Sequence, residues 1–265
     1  MTASPEASGV YDHPKYWDLA FADETAEELR FVSELAETLS LKIPPHVYEP
    51  GCGGGRLVHA MAERGMQVAA CDLSEAAVAH TQQRLRDAGL TAEVAVADMR
   101  TYVPGHRLDI AFCPVNTFRH LTTEADAQAH LHAVASAVRA GGLYAIGLHL
   151  APPDIDPDDE ETWTASEDDV SVACRLTVGD FERESRLERL LFQIDVDDAG
   201  RKFTLRDAFD YRLYTAAELQ YTLTDSGQWT IRSVHDFWYD LGDALELNDE
   251  LGDTVVVLKR TEVVA

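Results

Sequence analysis

The chain has 265 residues, 46% hydrophobic and 8% aromatic, which is enough apolar material for one large domain or a domain with a sizeable insert. It carries 22 Lys and Arg against 47 Asp and Glu, a formal charge of −25, so partners held through their phosphates, whether nucleic acid or an anionic membrane surface, are not expected. No apolar run approaches the roughly 20 residues of a membrane helix. Residues 1–9 have neither the basic nor the apolar part of an export signal. Cys52, Cys71, Cys113 and Cys174 are scattered, with no Cys-x-x-Cys pair, and read as reduced core thiols of a cytoplasmic protein, with no metal site. The acidity has two readings: solubility, including in a salt-rich cell interior, or attraction of a cationic or amine substrate.

Residues 10–22 gather Tyr11, Tyr16, Trp17 and Phe21 ahead of any core element. Asp23 or Thr25 is placed to cap a helix running to about Leu39, with Leu29, Val32, Leu35 and Leu39 at helical spacing and Pro44-Pro45 as its stop. Next comes the densest signal in the chain. A short apolar run ends on Glu49, passes through Gly51, Gly53, Gly54 and Gly55, and continues into a helix from about 57. A strand, a tight glycine turn and a helix let backbone approach a nucleotide-like ligand, because no Cβ stands in the way and the turn can take φ > 0. Arg56 occupies the place where a dinucleotide fingerprint wants a further glycine, and no Walker lysine follows, so a phosphate cradle is not expected.

The second strand, 67–72, ends on Asp72, where an acid can accept both hydroxyls of a ribose. Leu73 and Ser74 then lead into a helix from 75 to about 88, with Ser74 as N-cap. A third strand, 92–97, runs into Asp98-Met99-Arg100. The fourth, 108–113, precedes the loop from Pro114 to Leu121, which contains Asn116 and His120. Reactive groups in open α/β sheets gather outside the carboxyl ends of strands, which makes this loop the expected working face. A helix from 124 to 140 is expected to stop at Gly141-Gly142. On it His130 and His132 are two residues apart, point to different sides and form no metal pair. The fifth strand, 143–150, carries His149 near its carboxyl end, facing either pocket or core.

An acidic, proline-broken connector at 152–161 then gives way to alternating runs at 170–178, 190–196 and 203–213, with a hairpin turn at 197–200. This is an antiparallel insert of about 60 residues. Thr215 is placed to cap a helix to about Asp225, and strands at 229–235 and 254–259 close the chain with only a loop between them.

Glu49, Gly51, Gly53 and Gly55, followed by acids ending the next two strands, resemble the first motifs of the class I S-adenosylmethionine-dependent methyltransferases. The Asn116-Thr117-Phe118-Arg119-His120-Leu121 loop is similar to that of glycine N-methyltransferase and related small-molecule enzymes. The insert is similar to one in sugar-amine N,N-dimethyltransferases. The resemblance implies an α/β fold with a Rossmann-like seven-stranded sheet, its last strand antiparallel. Residues 1–44 would form an N-terminal lid and helix, residues 45–151 and 214–265 the cofactor domain, and residues 152–213 a β insert that either roofs the acceptor site or forms a homodimer surface.

It further implies that Tyr11, Tyr16 and Trp17 fold over the cofactor and that Glu49, Gly51, Cys52, Gly53, Gly55 and Arg56 hold its amino-acid end. Asp72 with Leu73 would hold the ribose, Asp98 and Met99 the adenine, and Pro114 with Asn116 would face the methyl group. Asn116, His120 and His149 are the catalytic candidates, for methyl transfer to nitrogen or oxygen of a small molecule. A nicotinamide-dependent oxidoreductase and a non-catalytic cofactor-binding partner protein are the alternatives.

Overall fold

The computed structural model describes residues 9–41, 44–153 and 160–261. The middle of the acidic connector, 154–159, lies outside the described residues. Helix α1 (Pro14–Ala20) follows a 3-10 turn at Val10–Asp12, and α2 (Thr25–Thr38) comes next. The sheet then begins: β1 (His46–Pro50), α3 (Arg56–Glu63), β2 (Gln67–Asp72), α4 (Glu75–Asp87), β3 (Glu93–Val96), β4 (Leu108–Cys113), α5 (Glu124–Ala137) and β5 (Val138–His149). Four strands follow, β6 (Glu160–Glu167), β7 (Val170–Glu182), β8 (Leu187–Asp198) and β9 (Arg201–Arg212), and then α6 (Ala216–Thr224), β10 (Trp229–His235) and β11 (Asp253–Arg260).

Seven strands form one sheet in the order β10-β11-β5-β4-β1-β2-β3. β11 is antiparallel to both neighbours, and the remaining pairs are parallel. This is the methyltransferase sheet that the sequence predicts. Chain order reverses between β1 and β4, so the crevice beyond their carboxyl ends is where such a fold places ligands. β1 and β4 are almost wholly buried, as strands covered on both faces must be. Ser74 and Thr215 cap α4 and α6 as expected, the latter in a full capping box with Glu218.

Three local expectations are corrected. α2 is preceded by a 3-10 turn, Ala22–Glu24, so Asp23 lies within that turn, Thr25 is the first helical residue, and Glu24 is an N-cap without a side-chain bond. α5 stops at Ala137 rather than at the glycine pair, because Val138 already pairs with Leu108 in the sheet. Gly141 (φ +74°) and Gly142 instead absorb the register shift before Leu143 meets Ile110; a Cβ on Gly142 would lie 2.8 Å from the Asp109 carbonyl oxygen. The insert also has a fourth strand, β6, whose Trp163 pairs with Cys174.

β6 to β9 make a separate antiparallel sheet. The hairpin between β8 and β9 turns at Ala199 and Gly200, both with φ > 0, the geometry of a type I′ turn. Val172, Cys174, Phe192, Ile194, Val196 and Leu205 form its buried face, which packs on Val10, Leu19 and Ala20 of the chain's own leader. This apolar face is covered from within the chain. The opposite face carries ion pairs such as Arg175–Glu160 and Arg189–Asp210.

Candidate active site

The glycine turn has the geometry its composition predicts. Gly51 and Gly55 sit at φ +66° and +79°, and added Cβ atoms would lie 2.5 Å from Thr117 Cγ2 and 2.4 Å from Thr81 Cγ2. An alanine at either place would meet both a left-handed backbone and a collision. Gly54 is required for a different reason: its Cβ would fall 2.4 Å from Asp18 Oδ2. Asp18, on α1, is buried, pairs with Arg84 at 2.7 Å and is pushed up to about 6 by burial. Nothing in the local pattern of α1 distinguished it.

The Asp72 carboxylate ends β2 and holds the turn in place, accepting from Gly53 N–H at 2.9 Å and Ser74 N–H at 2.8 Å. Leu73 beside it is 72% exposed, an apolar side chain in solvent at the expected nucleoside face. Glu49 is 4% exposed, and its Oε2 is enclosed without a hydrogen-bond partner. Burial drives its carboxyl well above the usual range. An orphaned acid beside a turn of bare backbone fits a ligand that brings a cationic group.

These elements floor a cavity of about 420 Å³. Glu49, Gly51, Cys52 and Gly53 line one side, and Pro114, Asn116 and His149 line the β4 and β5 side. Trp17 and Phe21 of the leader, Trp163 and Phe192 of the insert, and Phe237 enclose the rest. The leader and the insert thus meet over the carboxyl ends of β1 and β4.

Several predicted site residues are placed otherwise than expected. Arg56 lines the cavity, yet its guanidinium bonds the buried Glu28 through both terminal nitrogens and donates to Thr25 Oγ1 at 3.1 Å. Glu28, on α2, is wholly buried. Both Asp98 oxygens are held by Arg100, whose guanidinium bonds keep the carboxyl below its ordinary range. The neighbouring Met99 carbonyl is fixed by His130 Nδ1 at 2.8 Å, and His130 Nε2 meets the Tyr144 hydroxyl. His130 is therefore a buried support for the Asp98–Met99 loop. Tyr16 faces away from the turn: its hydroxyl donates to Asp198 at 2.7 Å and its ring packs on Phe203. Tyr11 stays close, its carbonyl accepting from Ser74 Oγ–H and its ring 4.8 Å from Trp17.

The three catalytic candidates are not brought together as a set. Asn116 and His149 meet. Asn116 sits at φ +62° after Val115 at φ +24°, a strained β-branched residue, and the loop closes against Gly147, whose Cβ would lie 3.1 Å from Val115 N. Asn116 Oδ1 accepts His149 N–H at 2.9 Å, which fixes the amide orientation and directs Nδ2–H onto His149 Nδ1 at 2.9 Å. His149 then carries its proton on Nε2, 3.3 Å from Asp253. Both ring nitrogens are engaged.

His120 lies outside the cavity lining, against Tyr211 (ring centroids 4.7 Å apart), with Nε2 hydrogen-bonded to the Tyr11 hydroxyl at 3.1 Å. Burial pulls its pKa down to about 4, with a contribution from Arg119. Because the folded value lies below the unfolded one, the unfolded chain takes up a proton that the folded chain refuses between about pH 6.5 and 4. His120→Gln is therefore expected to lose stability less steeply with acid than the parent. Urea titrations of the two proteins at pH 7 and pH 4 should show the gap between them closing by roughly 2–3 kcal/mol. A constant gap would mean that His120 takes a proton freely in the folded state.

Residues 47–142 match the family model described as "Methyltransferase domain". The chain is 30% identical over 98 residues to the ubiquinone biosynthesis O-methyltransferase of Azoarcus sp. (strain BH72). That match spans 36% of this chain and 40% of the relative. An S-adenosylmethionine-dependent methyltransferase from Clostridium acetobutylicum superposes with a TM-score of 0.75 at 17% identity, over 93% of this chain and 96% of that one. The sugar N-methyltransferase KedS8 from Streptoalloteichus sp. gives 0.72 at 18% identity, over 99% and 97%. Sheet order, glycine turn and these matches agree on the fold: residues 47–142 match a methyltransferase domain, and the chain has the seven-stranded methyltransferase fold with an inserted antiparallel sheet. Among the described residues no helix is long and apolar enough to cross a membrane.

Proposed function

We propose that this chain transfers a methyl group from S-adenosylmethionine to a nitrogen of a small molecule held beneath the β insert. The observation that carries the reading is the single cavity in which the bare glycine turn and the orphaned Glu49 oxygen face an aromatic roof from the leader and the insert. S-adenosylmethionine, when bound, supplies an activated sulfonium methyl. Gly51, Cys52 and Gly53 would hold its amino-acid end with Glu49 as the counter-charge, and Asp72 would hold its ribose. Asn116 and Pro114 would border the reacting atoms, and Trp17, Phe21 and Phe237 would keep water out.

Nitrogen is favoured over oxygen because a hydroxyl needs a base and a neutral amine attacks with its own lone pair. His149 has both nitrogens engaged, and His120 is a weak base screened from the cavity. The four free, buried cysteines fit a reducing, cytoplasmic location. The sugar N-methyltransferase fold neighbour supports the reading by analogy of fold alone.

Calorimetric titration with S-adenosylhomocysteine, and with NADH in parallel, tests it. Micromolar binding of the first and none of the second is the expected result. Heat from NADH alone would restore the oxidoreductase alternative.

A further inference from the structure

Trp17, Phe21, Trp163 and Phe192 meet pairwise in a closed ring of contacts, with centroids 4.8 Å (Trp17–Phe21), 5.5 Å (Phe21–Trp163), 5.6 Å (Trp163–Phe192) and 5.3 Å (Trp17–Phe192) apart. All four line the cavity. The Trp163 indole is fixed by donating to the Ala20 carbonyl at 2.7 Å, so leader and insert present this wall as one surface.

The charges at the same cavity are one-sided. Asp23, Glu24, Glu49 and Glu161 line it, and so does Asp18, which Arg84 already pairs. Among the described lining residues the one guanidinium is Arg56, committed to Glu28, with Glu24 Oε2 3.7 Å from its other terminal nitrogen. Glu24 Oε2, like Glu49 Oε2, is enclosed and has no hydrogen-bond partner. Two carboxylates whose Oε2 atoms have no hydrogen-bond donor thus line one cavity, and Glu24, its side chain 41% exposed, has Arg56 at 3.7 Å as its ion partner. A cofactor brings one ammonium, which Glu49 at the glycine turn would receive, and Glu24 is left over.

We propose that the acceptor binds as an ammonium cation, held between this aromatic wall and the Glu24 carboxylate, which takes one N–H proton so that the freed lone pair can attack the methyl group, and that acceptors bearing phosphate or carboxylate are refused. The assignment rests on the methyltransferase reading above and deepens it. Aromatic faces attract cations and a carboxylate lining the same cavity completes the recognition, while an anionic group would be desolvated among acids with no free cation to meet it. Burial, with the adjacent Glu28, pushes Glu24 up to about 7 against the opposing charge of Arg56 3.7 Å away. A diphosphate-linked acceptor would require unpaired Lys or Arg in this lining, and the described residues supply none.

The test uses the full chain saturated with S-adenosylhomocysteine and three probes of one shape: phenethylamine, 2-phenylethanol and phenylacetate. Calorimetry is expected to show the amine binding at least about tenfold tighter than the alcohol, and the acid not binding. Glu24→Gln should bring the amine to within about threefold of the alcohol, whereas Glu63→Gln, on the exposed surface, should leave the preference intact. An alcohol or acid that binds as well as the amine, an amine that does not bind at millimolar concentration, or a preference that survives Glu24→Gln overturns the inference. Should Glu24→Gln fail to fold, the three probes on the parent protein still decide. Failure of S-adenosylhomocysteine to bind would sink the methyltransferase reading as well; its binding without an amine preference sinks only this inference.

Discussion

Arg119→Ala is expected to destabilise the protein by about 3–5 kcal/mol, the cost of leaving one member of a buried ion pair alone. Arg119 follows β4 in the loop that also carries Asn116, and its side chain is 4% exposed. It pairs with Glu188 on β8, donates from Nε to the Arg212 carbonyl at 2.9 Å and lies over the Tyr211 ring at 4.9 Å. One guanidinium thereby fastens the insert to the carboxyl end of the main sheet. Its removal strands the Glu188 carboxylate and an Arg212 carbonyl, and replaces a cation–π contact with space. Thermal unfolding should fall by roughly 6–20 °C for a chain of this size. Replacing both partners, Arg119→Met with Glu188→Met, should recover most of the loss, because two apolar side chains leave no buried charge. A single variant that melts within 2 °C of the parent, as about 0.5–1 kcal/mol would give, would show that the insert is anchored by other contacts. The same variant should weaken binding of any acceptor probe, since Tyr211 and Phe209 of β9 line the cavity and are positioned through this anchor.

Asp72→Ala is expected to weaken S-adenosylhomocysteine binding by about 2–3 kcal/mol, or roughly 30–150-fold, with the fold retained. Two effects add. The carboxylate is the proposed ribose acceptor at the end of β2, and it also holds Gly53 and Ser74 by their N–H groups. Losing it removes charge-assisted hydrogen bonds and loosens the turn that must approach the ligand. Calorimetry on the variant, with circular dichroism as the check on folding, measures the effect. Asp72→Asn should fall between, since an amide oxygen still accepts from one of the two N–H groups but carries no charge. Unchanged affinity in a folded Asp72→Ala protein would refute the ribose assignment.

The chain's own sequence determined the sheet and its glycine turn. Short buried strands, the φ > 0 demanded between Glu49 and Arg56, the caps at Ser74 and Thr215 and the two-residue alternation of the insert are all local. They depend on neighbours two to four residues away, whose geometry is set by the backbone period. The same locality explains why α5 was expected to run to its glycines: a C-cap signal is read from adjacent residues. The pairing of Val138 with Leu108, which pulls the chain into the sheet early, is not.

Tertiary structure alone decided what each polar side chain faces. Arg56 stands in the glycine motif, but Glu28 from a separate helix claims its charge. Tyr16 and Trp17 are adjacent in the leader; the insert takes the first to Asp198, and the second joins the ring wall of the cavity. His149 is fixed in one tautomer by Asn116 and Asp253, 33 residues before it and on the antiparallel last strand. Glu24, the residue proposed to choose the acceptor, has no motif; it matters because folding sets it beside Glu28 and Arg56 on a cavity whose wall is assembled from two distant segments. Backbone geometry is written in short patterns, whereas the partners that set charge and tautomer come from far along the chain and exist only once it has folded.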